Sequence, residues 1–286
     1  MDRARTVRVS GAIVAAPRTR PLRDVKRGPL DRRAVVWAIR AVTFVVIIGG
    51  WEFLARPIDR ALFAPPSEVA ASILRHLSGE NALWAPLVES LTAFALGTLL
   101  GLIIGIPLGL LMGRYRSLEF VLDPYVTFFY VIPSVALVPL FVLWFGFSLQ
   151  FQVALVFEST LLPILINAAA GARNVESDLI DGGRAFCASE AQIMRTIVVP
   201  ASLPFVFAGL RIALSAAWVG VVVAQMTGAI TGLGGLILTA AATFRTADML
   251  VPIFAIMLVG VLIHALTGWT LKRLTPWHVD DRTAGA

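Results

Sequence analysis

The sequence predicts an all-α polytopic membrane protein with six transmembrane helices. Of its 286 residues 58% are hydrophobic, and the mean hydropathy is +0.82, which is typical of several membrane spans and too apolar for one soluble core. Residues 1–33 hold ten basic residues against three Asp, whereas the remainder has fourteen basic and fifteen acidic residues. The high pI therefore reflects a basic tail before the first span, which indicates a membrane anchor rather than a nucleic-acid surface.

Six apolar windows of about 20 residues place the spans. The first begins only after residue 33 and is long enough to cross, so a cleavable signal peptide is not expected. We predict a basic tail at 1–33, a membrane domain at 34–278 and a polar tail at 279–286. The spans are predicted near residues 34–55, 91–112, 120–146, 150–171, 203–226 and 249–271.

The third span is too long and too interrupted for one straight helix. Pro124, Pro133 and Pro139 each remove a backbone donor. Such breaks are tolerated in a membrane where the backbone is buried in protein or lines a cavity. The pattern therefore fits either a segment that lines a pathway or a kinked helix that only packs.

Basic residues collect on alternate loops, which predicts the orientation of the chain. The tail, the 172–200 loop and the Lys272–Arg273 pair fall on one face, so both termini and that loop are predicted to be cytoplasmic. The 56–90 loop, on the opposite face, is predicted to hold a short helix with Ser67 as its N-cap. A second short, partly inserted helix is expected between residues 227 and 248.

The central loop is a charged segment between apolar spans, DGGRAFCASEAQIMRTIVVP from Asp181 to Pro200. Ser189 and Gln192 have the spacing of a capping box, which predicts a helix that ends at Pro200. Residues 175–186 are predicted to form another helix, with a turn at Cys187 between the two. Membrane insertion does not explain such a polar loop, so we expect a cytoplasmic partner to bind it.

This loop resembles the signature of permease subunits of binding-protein-dependent ABC importers. That motif runs Glu-Ala-Ala, three residues, Gly, nine residues, Ile, any residue, Leu-Pro, and its spacing is kept from Asp181 to Pro200. Asp181 and Val199 are mild departures from the motif. Cys187 in place of Gly is a larger one, since glycine permits a positive φ at a helix end. Either the turn stays right-handed here or the loop is slightly reshaped.

Further blocks resemble the nitrate, sulfonate and taurine branch of that family. The resemblance covers about residues 60–278 and implies the type I ABC importer permease fold. The blocks are FAPPSEV, LDPYVTFFYVIPSVALVPLFVLWFG, AGLRIALSAAW, TGLGGLI and LKRLTPW.

The resemblance also implies function and partners. The chain would be a non-enzymatic subunit of the bacterial inner membrane that imports a small sulfonate-, taurine- or nitrate-like anion. Its partners would be two cytoplasmic ATPase subunits, a second permease in a homodimer, an extracytoplasmic binding protein and lipid. ATP and Mg²⁺ would be bound by the ATPase, since this chain has no glycine-rich phosphate-binding motif with its lysine. The residues implied in ATPase coupling, within loop 173–200, are Asp181, Gly182, Gly183, Arg184, Ala185, Cys187, Ala188, Ile197 and Pro200.

Candidate pathway residues surround the broken third span, with two charges in later spans. An acid inside a membrane span normally faces protein or water, so Glu158 either lines a pathway or forms a structural hydrogen bond or a pair with Arg211. The aromatic residues could instead pack against lipid or neighbouring helices. No metal site is expected at His264, because no second ligand is suitably spaced. The candidates are Phe128, Phe129, Tyr130, Pro133, Ser134, Glu158 and Arg211.

Two other classes of protein remain as alternatives. An ion-gradient-driven secondary transporter or channel would show two related halves with paired broken helices, whereas this chain has one broken span. An intramembrane enzyme would need a Ser/His, paired-acid or metal constellation, and none is apparent.

A stripe of glycines repeats every fourth residue in the second span, at Gly97, Gly101, Gly105 and Gly109. This spacing predicts a close helix contact within the subunit or across a dimer.

Overall fold

The computed structural model describes residues 6–9, 12–15, 33–79 and 83–274. The chain divides into two compact units, Met1–Trp51 and Glu52–Ala286. In the first unit, strand β1 (Thr6–Val9) pairs antiparallel with strand β2 (Ala12–Ala15). The sequence analysis did not predict this strand pair. The predicted C-terminal tail lies outside the described residues, so the division into tails and membrane domain stays a prediction.

The six predicted spans are confirmed as helical segments. Among the described residues, five helices are long and apolar enough to cross a membrane, and a bent pair of helices provides the sixth segment. The single helices are α1 (Arg33–Ala55), α3 (Trp84–Arg114), α6 (Leu149–Arg173), the continuous helix that contains α9 (Val199–Ala224), and α11 (Thr246–Leu274).

The predicted break in the third span is confirmed, and it lies at Pro133. Helix α4 (Arg116–Val131) and helix α5 (Ser134–Phe145) meet at an angle of 96°. Ile132 and Pro133 between them have extended backbone, so no helical hydrogen bond continues across the junction. Pro124 and Pro139 lie inside α4 and α5 without ending them.

Helices α3, α6 and α9 form the packed centre of the second unit. The glycine stripe of α3 faces α6, so the predicted close contact is confirmed within the chain. A β-carbon at Gly97 would lie 2.5 Å from that of Val156, and one at Gly101 would lie 2.7 Å from that of Thr160. Both distances are too short for real atoms. Glycine therefore lets the two backbones approach as small residues do in membrane helix pairs.

Helix α2 (Pro66–Ser78) is the short helix predicted between the first two spans, but the prediction of its N-cap was wrong. The N-cap is Pro65 rather than Ser67, because proline at the next position is favoured as the first helical residue. Glu52, at the end of α1, accepts hydrogen bonds from the Ser67 N–H at 3.0 Å and from its hydroxyl at 2.9 Å. This carboxylate satisfies the helix N-terminus in place of a local cap.

Helix α10 (Gly232–Ala242) is the short apolar helix predicted between the last two spans. Side chains from other helices cap its first N–H groups. The Gly232 N–H donates to Glu89 at 3.1 Å, the Leu233 N–H to the Ser90 hydroxyl at 3.0 Å and the Gly234 N–H to Gln225 at 3.2 Å. The orphan donors of a helix start are thus satisfied inside the bundle.

Candidate functional site

Residues 177–200, here the loop hairpin, connect α6 to the fifth span. Helix α7 (Ser177–Ala185) runs to a turn at residues 186–189, and helix α8 (Glu190–Ile193) follows. The predicted helix over 175–186 is therefore present, with a later start. The predicted capping box is confirmed, because the Gln192 N–H donates to the Ser189 hydroxyl at 3.3 Å and the Ser189 N–H donates to the Gln192 side chain at 2.8 Å.

The turn after α7 is left-handed at Cys187, where φ is +56°. The Ala188 N–H donates to the Gly183 carbonyl at 3.0 Å, and the Cys187 N–H donates to the Arg184 carbonyl at 2.8 Å. These two bonds define a Schellman turn. The right-handed alternative is therefore wrong: cysteine occupies the backbone conformation in which glycine is favoured, at a cost of about 1–3 kcal/mol.

The helix that begins at Glu190 does not end at Pro200, and that prediction was wrong. Residues Met194–Val198 form a π-helical turn, in which the Val199 N–H donates to the Met194 carbonyl, and α9 continues from Val199. A wider π turn accommodates the missing proline N–H without breaking the helix. One helical segment, Glu190–Gly228, therefore joins the hairpin to the span.

Ion pairs and apolar packing fix the hairpin to the bundle. Glu190 accepts from Arg114, at the end of α3, at 2.7 Å and from Arg184, on α7, at 3.2 Å. A β-carbon on Gly183 would lie 3.0 Å from the Ile197 side chain, so this glycine brings the two arms together. Ile193 is fully buried in an apolar cluster with Leu110 of α3 and Ile164 of α6. The hairpin should therefore move with the helices that hold it.

The outer surface of the hairpin carries the exposed residues. Asp181, Ala185 and Cys187 are exposed, whereas Ala188 is half-buried against the apolar cluster that the hairpin shares with α3, α6 and α9. Phe186, which sequence reasoning missed, is 89% exposed. The available signal was a phenylalanine inside a charged loop, since a large exposed apolar side chain next to a turn often marks a contact with a partner.

A cavity of about 640 Å³ lies between the α4–α5 break, α6 and α9. Tyr130, Pro133, Ser134 and Glu158, four of the predicted pathway residues, line it. The lining does not include Phe128, Phe129 or Arg211.

Two further lining residues, Ser159 and Ser215, were missed by sequence reasoning. Ser215 shares one face of α9 with Val219 and Val223, which also line the cavity at four-residue spacing. That spacing was the available signal. The Ser159 hydroxyl donates to the Leu155 carbonyl at 2.9 Å and lies 3.5 Å from the Ser134 hydroxyl.

Glu158 is half-buried at the cavity wall, and its Oε2 atom is buried without a hydrogen-bond partner. The alternative of a pair with Arg211 was wrong: in the described part of the chain the two form no ion pair, and the Arg211 guanidinium lies beside Gly268 of α11. His264 lies 3.3 Å from the Ser215 hydroxyl. The described residues bring together no group of three His, Cys, Asp or Glu side chains suited to a metal ion.

The chain is similar to known transport proteins. The taurine transport system permease protein TauC of Escherichia coli is 30% identical over 258 residues, which cover 88% of this chain and 93% of that protein. The nitrate import permease protein NrtB of Leptolyngbya laminosa is 28% identical over 243 residues, 82% of this chain and 87% of that protein. A chain from an inward-facing crystal form of the MetNI methionine ABC transporter has a TM-score of 0.60 at 20% identity, over 68% of this chain and 96% of that chain.

A family model, described as the inner membrane component of binding-protein-dependent transport systems, matches residues 80–277. This match covers more than half of the chain, and the solved neighbour has the type I ABC importer permease fold. The chain is accordingly a multi-pass membrane protein. It belongs to the binding-protein-dependent family of ABC transporter permeases, in the branch that includes nitrate, sulfonate and taurine permeases.

Proposed function

We propose that this chain forms the translocation pathway of an ATP-driven importer for a small solute with a sulfonate-, taurine- or nitrate-like anionic group. An extracytoplasmic binding protein delivers the solute, and two separate ATPase subunits bind ATP and Mg²⁺ and drive transport. Two copies of the chain assemble in the bacterial inner membrane with both termini in the cytoplasm. Relatives that transport taurine and nitrate support this class of solute.

The observation that supports this proposal most directly is the unbroken helical segment Glu190–Gly228. Its first residues belong to the loop hairpin, and Ser215 and Val219 line the cavity. At a rise of about 1.5 Å per residue, about 37 Å of helix separates Glu190 from Ser215. A rigid element of this kind transmits a displacement at one end to the wall of the cavity at the other.

The hairpin has the surface that an ATPase groove would bind. Phe186 provides an apolar anchor, and Arg184 and Asp181 beside it provide charged hydrogen-bonding groups. Ala185 is exposed between them and small enough for close approach. In this assembly the hairpin faces the cytoplasm, as the basic residues of loop 173–200 predict.

The test is to place a charge on the hairpin, as Ala185→Glu. A carboxylate buried in the ATPase contact without a partner costs several kcal/mol, roughly 3–5 by comparison with broken buried pairs. We expect ATP hydrolysis that depends on the solute-loaded binding protein, and ATP-driven uptake, to fall to background in proteoliposomes, while the permease still inserts. Ser177→Glu is the matched control, because it adds the same charge on the same loop at the start of α7, where an acid is favourable.

Cys187 is an internal probe of the same contact, since it is the one cysteine and is exposed. Maleimide should label it slowly in the assembled complex and quickly once the ATPase is stripped away. Equal labelling in both states, together with full activity of Ala185→Glu, would contradict coupling through the hairpin. Uptake that follows an ion gradient without ATP would favour the secondary-transporter alternative.

A further inference from the structure

We propose that Glu158 is a counter-charge site in the cavity, and that it binds the cationic group of a small zwitterionic solute as the solute passes. This inference rests on the proposed function, because it assigns a solute class to the same pathway. Among solutes with an anionic group, the inferred site favours those that also carry an ammonium or a similar cation.

The first argument is the state of the carboxylate itself. The Glu158 Oε2 atom is buried at the cavity wall and accepts no hydrogen bond. The polar groups beside this side chain are the hydroxyls of Ser134 and Ser159. A carboxylate offers about four acceptor positions, and the Ser159 hydroxyl already donates its one hydrogen to the Leu155 carbonyl, so the carboxylate is under-satisfied. An ammonium group has three donors and a positive charge, so it supplies the hydrogen bonds and the counter-charge that the Glu158 carboxylate lacks.

The second argument is the charge of the surrounding wall. The described residues that line the cavity include no Lys, Arg or His. Arg211 precedes the lining residue Ile212 in the chain, but its guanidinium lies beside Gly268 of α11. An uncompensated acid inside a membrane span is expensive and normally marks a path for solutes or ions. Burial of the Glu158 carboxylate without a counter-charge therefore costs free energy, and a bound cation removes that cost.

The rest of the wall fits the remainder of a zwitterion. The hydroxyl of Tyr130 can donate to an anionic oxygen, and the exposed side chains of Ile212 and Val219 provide apolar surface for a short linker. A bare anion would gain that donor but would be repelled by Glu158. The wall therefore distinguishes a zwitterion from a simple anion by charge rather than by size.

Charged thiol reagents test the sign of the field in the cavity without using the solute. In a Cys187→Ser background, Ser134→Cys is labelled in the purified complex with trimethylammonioethyl methanethiosulfonate or with its sulfonatoethyl counterpart. Each rate is divided by the rate of the same reagent at Thr243→Cys, an exposed position outside the cavity lining, which removes the intrinsic difference between the reagents. The same pair of rates is measured with Glu158→Gln and with Glu158→Asp.

We expect the normalised rate to favour the cationic reagent by at least about tenfold, to lose the preference in Glu158→Gln and to keep it in Glu158→Asp. Three outcomes would each overturn the inference. The complex would show no preference, it would prefer the sulfonate reagent because the second subunit brings a cation, or the preference would be unchanged in Glu158→Gln. Labelling needs no transport. If the complex drives uptake with ATP but shows no preference for the cationic reagent, only the counter-charge site is overturned. If it shows the preference but no ATP-driven uptake, only the proposed function is overturned.

Discussion

The loop hairpin and the cavity are built in opposite ways. The hairpin is made from one run of 24 residues, 177–200, and its shape follows from contacts within that run, such as the capping box and the Schellman turn. The cavity is made from four helices, α4, α5, α6 and α9, with lining residues spread over positions 130 to 223, and its shape follows from how α6 and α9 pack beside the Pro133 break. The hairpin is thus a local structure and the cavity a tertiary one.

This difference matters for what each region can do. A locally determined hairpin keeps its shape when the helices around it shift, as a docking element must. A cavity between separate helices changes shape whenever those helices move, as an alternating pathway must. The continuous helix Glu190–Gly228 belongs to both regions, so it can convert a movement of one into a change of the other. Variants that affect one region alone test this division.

The largest effect is expected when the cavity is filled while the hairpin is left intact. Ser134→Trp places an indole beside Glu158 in the lining. The indole occupies space that a solute would need to cross the cavity, and about 1.4 kcal/mol added to the transport barrier is tenfold in rate. We expect ATP-driven uptake to fall at least about tenfold, while the ATPase still co-purifies with the permease.

The matched control is Leu143→Trp, on α5 outside the cavity lining, where the side chain is 80% exposed. It should leave both uptake and co-purification unchanged. Normal uptake by Ser134→Trp would remove the cavity from the pathway. Loss of the ATPase from Ser134→Trp would show instead that the two regions are not separable.

The sequence predicted the hairpin well because its determinants are close together in the chain. Ser189 and Gln192 are three residues apart, and their capping box is present. Cys187 left two conformations open, because a local pattern does not say how much strain the surrounding hydrogen bonds can hold. The end predicted at Pro200 was wrong for a similar reason: a π turn upstream accommodates the proline.

The sequence predicted less of the cavity, because its wall depends on distant partners. The break at Pro133 was visible, but which aromatic residues face the cavity depends on the 96° bend between α4 and α5. The position of Arg211 beside α11, away from Glu158, likewise depends on packing. Glu52 capping α2 from fifteen residues away is a third case in which a tertiary contact replaced a local one.

A smaller effect is expected when the ionic link between the hairpin and the bundle is removed. Arg114 and Glu190 pair at 2.7 Å, with side chains 15% and 48% exposed. Because the pair is partly solvated and screened, we expect Arg114→Gln or Glu190→Gln to lower the free energy of unfolding by about 1 kcal/mol or less. Thermal unfolding of the two single variants and the double variant isolates the pair.

High salt should shrink this difference, since the pair is partly exposed. Arg184→Gln is the matched control: it removes a contact with Glu190 whose side chains are 54% and 48% exposed, and it should cost less than Arg114→Gln. Additive effects of Arg114→Gln and Glu190→Gln would mean that the link contributes nothing. Apolar packing by Ile193 and Val198 alone would then hold the hairpin.

The smallest effect, and the one of opposite sign, is expected at the turn of the hairpin. Cys187→Gly relieves the strain of a left-handed cysteine, about 1–3 kcal/mol, but also gives the unfolded chain more freedom, which offsets about 0.4–1 kcal/mol. We expect a net increase in the free energy of unfolding of about 0.5 kcal/mol, measured by thermal unfolding of the purified permease. Cys187→Ala keeps the strain and should show no gain. A gain in Cys187→Ala equal to that in Cys187→Gly would mean that the thiol, and not the backbone at φ +56°, limits the stability of the turn.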